Sequence, residues 1–156
     1  LNIQSNSTLI LSGKYFTDLM CTVLDRSADF RFQAQGYSMS PFIKNYDIIT
    51  ISPVFQNKVA TGDIVVVLFR DKRSVLVHRI IDRNNGQFII KGDNNKSDDG
   101  FFKTDQIIGV VTKVERNGRK IWYGRNKTGK LIAFLSKTGL LNSFILPVLR
   151  FFNAPF

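Results

Sequence analysis

The chain has 156 residues, 44% of them hydrophobic and 22% charged, and a formal net charge of +10. That length fits one domain with its own core, and the composition excludes an intrinsically disordered chain. One cysteine excludes an internal disulfide, no run of 18 apolar residues reads as a membrane span, and the N-terminus lacks the basic, apolar and small-residue succession of a secretory signal.

The charge is uneven. From Lys113 onward nine basic residues (Lys113, Arg116, Arg119, Lys120, Arg125, Lys127, Lys130, Lys137 and Arg150) face a single acid, Glu115.

From Ser12, the residues Tyr15, Phe16, Leu19, Met20, Val23 and Leu24 recur at helical spacing and predict an amphipathic helix packed on the core. Cys21, set among Leu19, Met20, Val23 and Leu24, reads as a buried structural thiol. Phe30, Phe32 and Ala34 then alternate with Arg31, Gln33 and Gln35, the pattern of a half-buried strand running into Gly36-Tyr37-Ser38-Met39-Ser40-Pro41. Ser38 is expected where that strand ends.

Further strands are predicted over Asp47–Ile51, Asp63–Phe69, Ser74–Ile81, Gln87–Lys91 and Ile107–Val114. Gly62-Asp63, Asp71-Lys72-Arg73 and Asn84-Asn85-Gly86 separate strands as turns, and Arg116-Asn117-Gly118-Arg119 signals a type I′ hairpin leading to Ile121-Trp122-Tyr123. Past Gly129 the apolar residues from Leu131 to Phe152, interrupted at Gly139 and Pro147, predict two short helices. The expected organisation is an N-terminal helix over 1–29, a mainly-β domain over 30–123 and a basic, apolar helical segment over 124–156.

A serine hydroxyl becomes nucleophilic only beside a base, and the sequence holds a single histidine, His78. In the strand Val75-Leu76-Val77-His78-Arg79-Ile80-Ile81, alternation sets Leu76, His78 and Ile80 on one face and Val75, Val77 and Arg79 on the other. An imidazole among apolar residues is either an ordinary core histidine or a base held in a dry site, and the strand alone leaves both open. Downstream, Lys91-Gly92-Asp93-Asn94-Asn95-Lys96-Ser97-Asp98-Asp99-Gly100 crowds three carboxylates into a polar loop. A calcium-loop reading fails because Asp98 stands where the turn requires glycine. No metal or other cofactor is expected.

Taken in order, Gly36-x-Ser38-Met39-x-Pro41, Asp47-Ile48-Ile49, Gly62-Asp63-Ile64-Val65, His78-Arg79-Ile80-Ile81, Lys91-Gly92-Asp93-Asn94-Asn95 with Asp98-Asp99, and Ile108-Gly109-Val110-Val111 resemble the signal peptidase family and its relatives, the S24/S26-type serine peptidases that include LexA-type self-cleaving repressors. The likeness spans Phe30 to Val114. Many members carry lysine where His78 stands. The resemblance is therefore closest to the archaeal and endoplasmic-reticulum branch, which uses histidine there and has the Gly-Asp-Asn-Asn box with downstream aspartates.

This resemblance implies a signal-peptidase-like β-domain and a serine endopeptidase that removes a signal or leader segment, with Ser38 as nucleophile and His78 as base. The resemblance favours Asp99 as third member of the triad and marks Asp93 as a second important carboxylate; either could orient His78, and the sequence leaves that choice open, while Lys91 is a rival base. The Ser38 backbone N–H is the expected oxyanion donor. Many signal peptidases add a serine hydroxyl two positions earlier, where this chain has Gly36. Gly36, Tyr37, Met39 and Pro41 are the expected substrate-binding positions, and the partner is a peptide or protein with an extended cleavage segment. Two other readings fit the same boxes: a catalytically silent peptide-binding module, and a self-cleaving regulator.

The expected location is peripheral to a membrane or cytoplasmic. The basic C-terminal segment fits contact with an anionic bilayer, and equally fits helices packed on the β-core with their charges solvated. Nucleic acid is not an expected partner, since no helix-turn-helix fits the short N-terminal segment.

Overall fold

A computed structural model describes residues 13–54, 58–69 and 74–148. Strands β1 (Phe30–Gln33), β2 (Ile48–Pro53), β3 (Ile64–Phe69), β4 (Ser74–Asn84), β5 (Gln87–Lys91), β6 (Phe101–Phe102), β7 (Ile107–Arg116) and β8 (Arg119–Lys120) form one antiparallel sheet. Its order is β1-β2-β7-β3-β4-β5-β6, with β8 paired to β7. Helix α1 (Gly13–Asp25) precedes the sheet, and α2 (Asn126–Lys137) and a π-helical turn (Leu141–Ile145) follow it. This is the mainly-β architecture, with a short N-terminal helix and a C-terminal helical segment, that the sequence predicts.

The central strand β3 explains the sheet's position in the molecule. Ile64, Val65, Val66 and Val67 are all buried, so both faces of the strand are covered and its sequence is a continuous apolar run. Ile64 and Val66 join Met20 and Leu24 of α1 with Ile49, Ile51, Val111 and Val114 in one cluster. Val65 and Val67 join Ile80, Phe88, Ile90, Phe102 and Ile107 in another. Since neighbouring strand residues point to opposite faces, the two clusters lie on opposite sides of the sheet. Helix α1 seats on the first through Thr17, Met20 and Leu24, and Phe16 meets the edges of Phe30 and Phe32 at 5.7 and 5.2 Å between ring centroids.

Two hairpins close at the predicted turns. Asn85 and Gly86 join β4 to β5 with φ of 47° and 79°, and Asn117 and Gly118 join β7 to β8 with φ of 51° and 74°. Positive φ at both central residues is the type I′ signature that Asn-Gly favours. The predicted turn at Asp71-Lys72-Arg73 lies outside the described residues, as do positions 1–12 and 149–156 of the two terminal segments.

Some expectations need correction. Cys21 is half-buried rather than buried, with burial the main cause raising its thiol pKa. Strand β6 was not predicted, because two residues carry no period. The C-terminal segment bends at Gly139, whose φ is 78°, but continues as helix through Pro147 to Val148. Helix α2 approaches the turn before β3 glycine to glycine: a Cβ added at Gly62 would lie 2.5 Å from the Gly129 carbonyl carbon.

Candidate functional site

Strand β1 is an edge strand, bonded to β2 alone, and the chain leaves it through a turn tied back by Ala34 N–H to the Asp47 carbonyl (2.7 Å) and Gly36 N–H to Asn45 Oδ1 (3.0 Å). The chain then turns with Ile43 N–H donating to the Met39 carbonyl at 3.0 Å, and half-buried Ser38 stands directly before this turn. His78 lies on β4 opposite Val65. Strand β5 pairs with β4 only from Arg79 onward, so Ser74 to His78 are bonded to β3 on one side and open on the other.

Past β5 the chain turns back, and Asp99 N–H donates to the Ile90 carbonyl at 2.8 Å, which brings the Asp99 carboxylate behind the His78 ring. His78 Nδ1 is 2.6 Å from Asp99 Oδ2, and His78 Nε2 is 2.7 Å from Ser38 Oγ. An ionised carboxylate only accepts hydrogen bonds, so with Asp99 ionised and the ring neutral the proton sits on Nδ1 and Nε2 accepts from the serine hydroxyl. His78 is 2% exposed, whereas the Asp99 side chain keeps 21% of its surface in solvent.

Asp93 stands elsewhere. Arg79 Nε and Nη2 donate to its two carboxylate oxygens, each at 2.8 Å. The remaining guanidinium hydrogens go to the carbonyls of Gly62 (2.8 Å), Gly124 (2.7 Å) and Tyr123 (3.0 Å). Arg79 and Asp93 are both fully buried, so the carboxylate and the three carbonyls together satisfy the guanidinium where no water reaches, and His78 Nδ1 is paired with Asp99 rather than with Asp93.

The rest of the polar box holds the Ser38 loop. Asn94 N–H donates to the Ser38 carbonyl at 2.7 Å, and its side-chain amide donates to the Tyr37 carbonyl at 3.1 Å. Gly92 is required by this approach, since a Cβ there would lie 2.8 Å from the Ser38 carbonyl oxygen. Lys91 turns the other way, its Nζ donating to the Ser136 carbonyl (3.0 Å) and to Asn142 Oδ1 (3.3 Å). Burial lowers its pKa, against the opposing pull of Asp98 and Asp93. It makes no hydrogen bond to Ser38.

A cleft of about 440 Å³ runs from Ser38 and His78 between the β1 end (Phe32 to Gly36) and the open edge of β4 (Ser74 to Val77). Of the expected substrate-binding positions, Gly36 and Met39 line it, while Tyr37 and Pro41 do not. Helix α1 supplies Gly13, Phe16 and Thr17 to its wall, which sequence reasoning missed. Thr17 carried a signal: it shares a helical face with Met20 and Leu24, a polar residue on a core stripe. No group of three or more metal-ligating side chains occurs among the described residues.

Residues 4–112 match the family model described as peptidase S24-like. The chain belongs to the peptidase S24-like family. Within this S24-like span lie Ser38, His78 and Asp99, whereas α2 and the π-helical turn fall beyond it. The chain is also similar to the signal peptidase complex catalytic subunit SEC11C of Homo sapiens, Mus musculus and Canis lupus familiaris, at 33% identity over 75 residues in each case. The aligned part is 44% of this chain and 39% of each relative, so the chain spans well under half the length of the curated relatives it matches. The family match and these relatives together support the kinship with signal peptidases that the ordered boxes imply.

Proposed function

We propose that this chain is a serine endopeptidase in which Ser38 attacks the scissile carbonyl, His78 takes and returns the proton, and Asp99 holds the imidazole. The observation that carries the reading is the continuous relay from Ser38 Oγ through His78 to Asp99, at 2.7 and 2.6 Å. As Ser38 Oγ bonds to the carbonyl carbon, its proton passes to His78 Nε2, and the imidazolium is stabilised by the Asp99 carboxylate. Collapse of the tetrahedral intermediate breaks the C–N bond as His78 protonates the leaving amine. Water then attacks the acyl-enzyme by the same route, releasing the acid and restoring Ser38.

The Ser38 N–H makes no hydrogen bond among the described residues and serves as an oxyanion donor. Gly36 has no side chain to add a second, so the oxyanion hole is built from backbone. The substrate enters extended and pairs with the open edge of β4, its side chains alternating between the cleft and solvent. The likeness to SEC11C favours a signal or leader segment as the part removed.

Mass spectrometry after incubation with a peptide aldehyde or a fluorophosphonate probe tests the nucleophile. Modification of Ser38 in the wild type, absent from His78→Ala, is expected. An unmodified Ser38 in a protein that binds peptide would favour the catalytically silent module.

A further inference from the structure

The C-terminal unit of α2 and the helical turn after it presents two faces. Its inner face is fastened to the core: Ile132, Leu141 and Leu146 are buried together, and Asn142 donates to the Asp93 carbonyl at 3.4 Å while accepting from Lys91. Its outer face keeps large apolar side chains in solvent. Leu131, Phe134, Leu140, Phe144 and Val148 are between 42% and 66% exposed, and nearby Trp122 is 63% exposed.

These residues follow the helical period. Lys127, Lys130, Leu131, Phe134 and Lys137 share the outer side of α2, the last also paired with Asp82 at 2.7 Å. Leu140, Phe144 and Val148 then recur every four residues on the second arm, with no charge among positions 138–148. The sequence holds no Asp or Glu after Glu115, so every formal side-chain charge on this unit is positive.

Lysine is depleted from the cores of protein interfaces, whereas Lys beside Phe, Leu and Trp is the composition that binds the headgroup layer of an anionic membrane. No single described helix is long and apolar enough to cross a membrane, and the two arms meet at 89°. With its inner face engaged, the unit is suited to lie on a bilayer rather than traverse it.

We infer that the outer face of this C-terminal unit docks on an anionic lipid bilayer. The unit that carries this face borders the candidate site, because Phe42, four residues after Ser38, packs on its inner Ile132–Leu141–Leu146 cluster and meets exposed Trp122 edge-on at 5.7 Å. Docking would hold the Ser38 loop at a fixed height above the lipid. The inference stands on the surface itself and does not rest on the peptidase reading.

The test is co-sedimentation of the full chain with vesicles of phosphatidylcholine alone or with phosphatidylglycerol, alongside the emission of Trp122, the sole tryptophan. Binding to the anionic vesicles, weakened by salt and accompanied by a blue shift, is expected. Phe134→Ser with Phe144→Ser, both exposed and so tolerated by the fold, is expected to weaken it about tenfold or more. Lys127→Gln with Lys130→Gln should weaken it by a similar factor. No binding to anionic vesicles, or binding indifferent to the Phe substitutions, overturns the inference. So does a concentration-dependent dimer in light scattering that the Phe substitutions abolish, which would make the face a protein interface.

Discussion

Arg79 grips both carboxylate oxygens of Asp93 at 2.8 Å, one residue along β4 from His78. The two neighbours on that strand are thus fixed by different aspartates, Arg79 by Asp93 inside the core and His78 by Asp99 at the rim. That division separates the effects expected of the two carboxylates.

Asp93→Ala leaves the Arg79 guanidinium buried without its partner, and removing one member of a buried pair costs about 3–5 kcal/mol. Urea denaturation should show that loss as a lower midpoint with an unchanged slope. A midpoint within error of the wild type would show that the pair is not structural.

Asp99→Asn should behave oppositely. Its side chain is partly exposed, so stability changes little, but the amide no longer selects the Nδ1–H tautomer and kcat for peptide cleavage should fall by up to about 10⁴-fold. Thermal melting alongside steady-state rates distinguishes the two carboxylates.

Gly36→Ser would restore a hydroxyl where many signal peptidases have one, yet it should not raise kcat. Gly36 has φ of 99°, a conformation that strains any L side chain even though no neighbour lies within 4 Å of the added Cβ. Stability lower by about 1–3 kcal/mol, with no gain in rate, is the expected outcome.

Lys91 gives a pH signature. Burial lowers its folded pKa below the ordinary 10.5, so between those values the unfolded chain binds more protons and stability rises with pH. Below the folded pKa the cost of the buried charge is present in full. Wild type should therefore gain stability relative to Lys91→Met as pH rises toward 10.5, measured by denaturant titration at several pH values. A constant difference would place the amine in solvent.

Most strands were legible because each is apolar at period two or in an unbroken run, and the Asn-Gly turns fixed two hairpins. The choice between Asp93 and Asp99 was not, since both follow β5 within a few residues. The structure separates them by register: Arg79 pairs with Lys91 across β4 and β5, which sets Asp93 beside Arg79, and the loop must return along Ile90 before Asp99 reaches His78. Alternation placed Arg79 opposite His78 but could not show that its face is roofed by Gly62, Tyr123 and Gly124, contacts spanning up to 45 residues. The contribution of Phe16 and Thr17 to the cleft was hidden for the same reason, because it depends on where α1 lies against the sheet.

The central claim is that Ser38, activated by His78, performs peptide cleavage. Incubating wild type and Ser38→Ala with a defined library of unstructured peptides, and reading the products by mass spectrometry, tests it most directly. The account predicts cleavage by the wild type at discrete sites and a loss of at least about 10³-fold in the folded variant. Cleavage by Ser38→Ala at the wild-type rate, or none by the wild type, would contradict it.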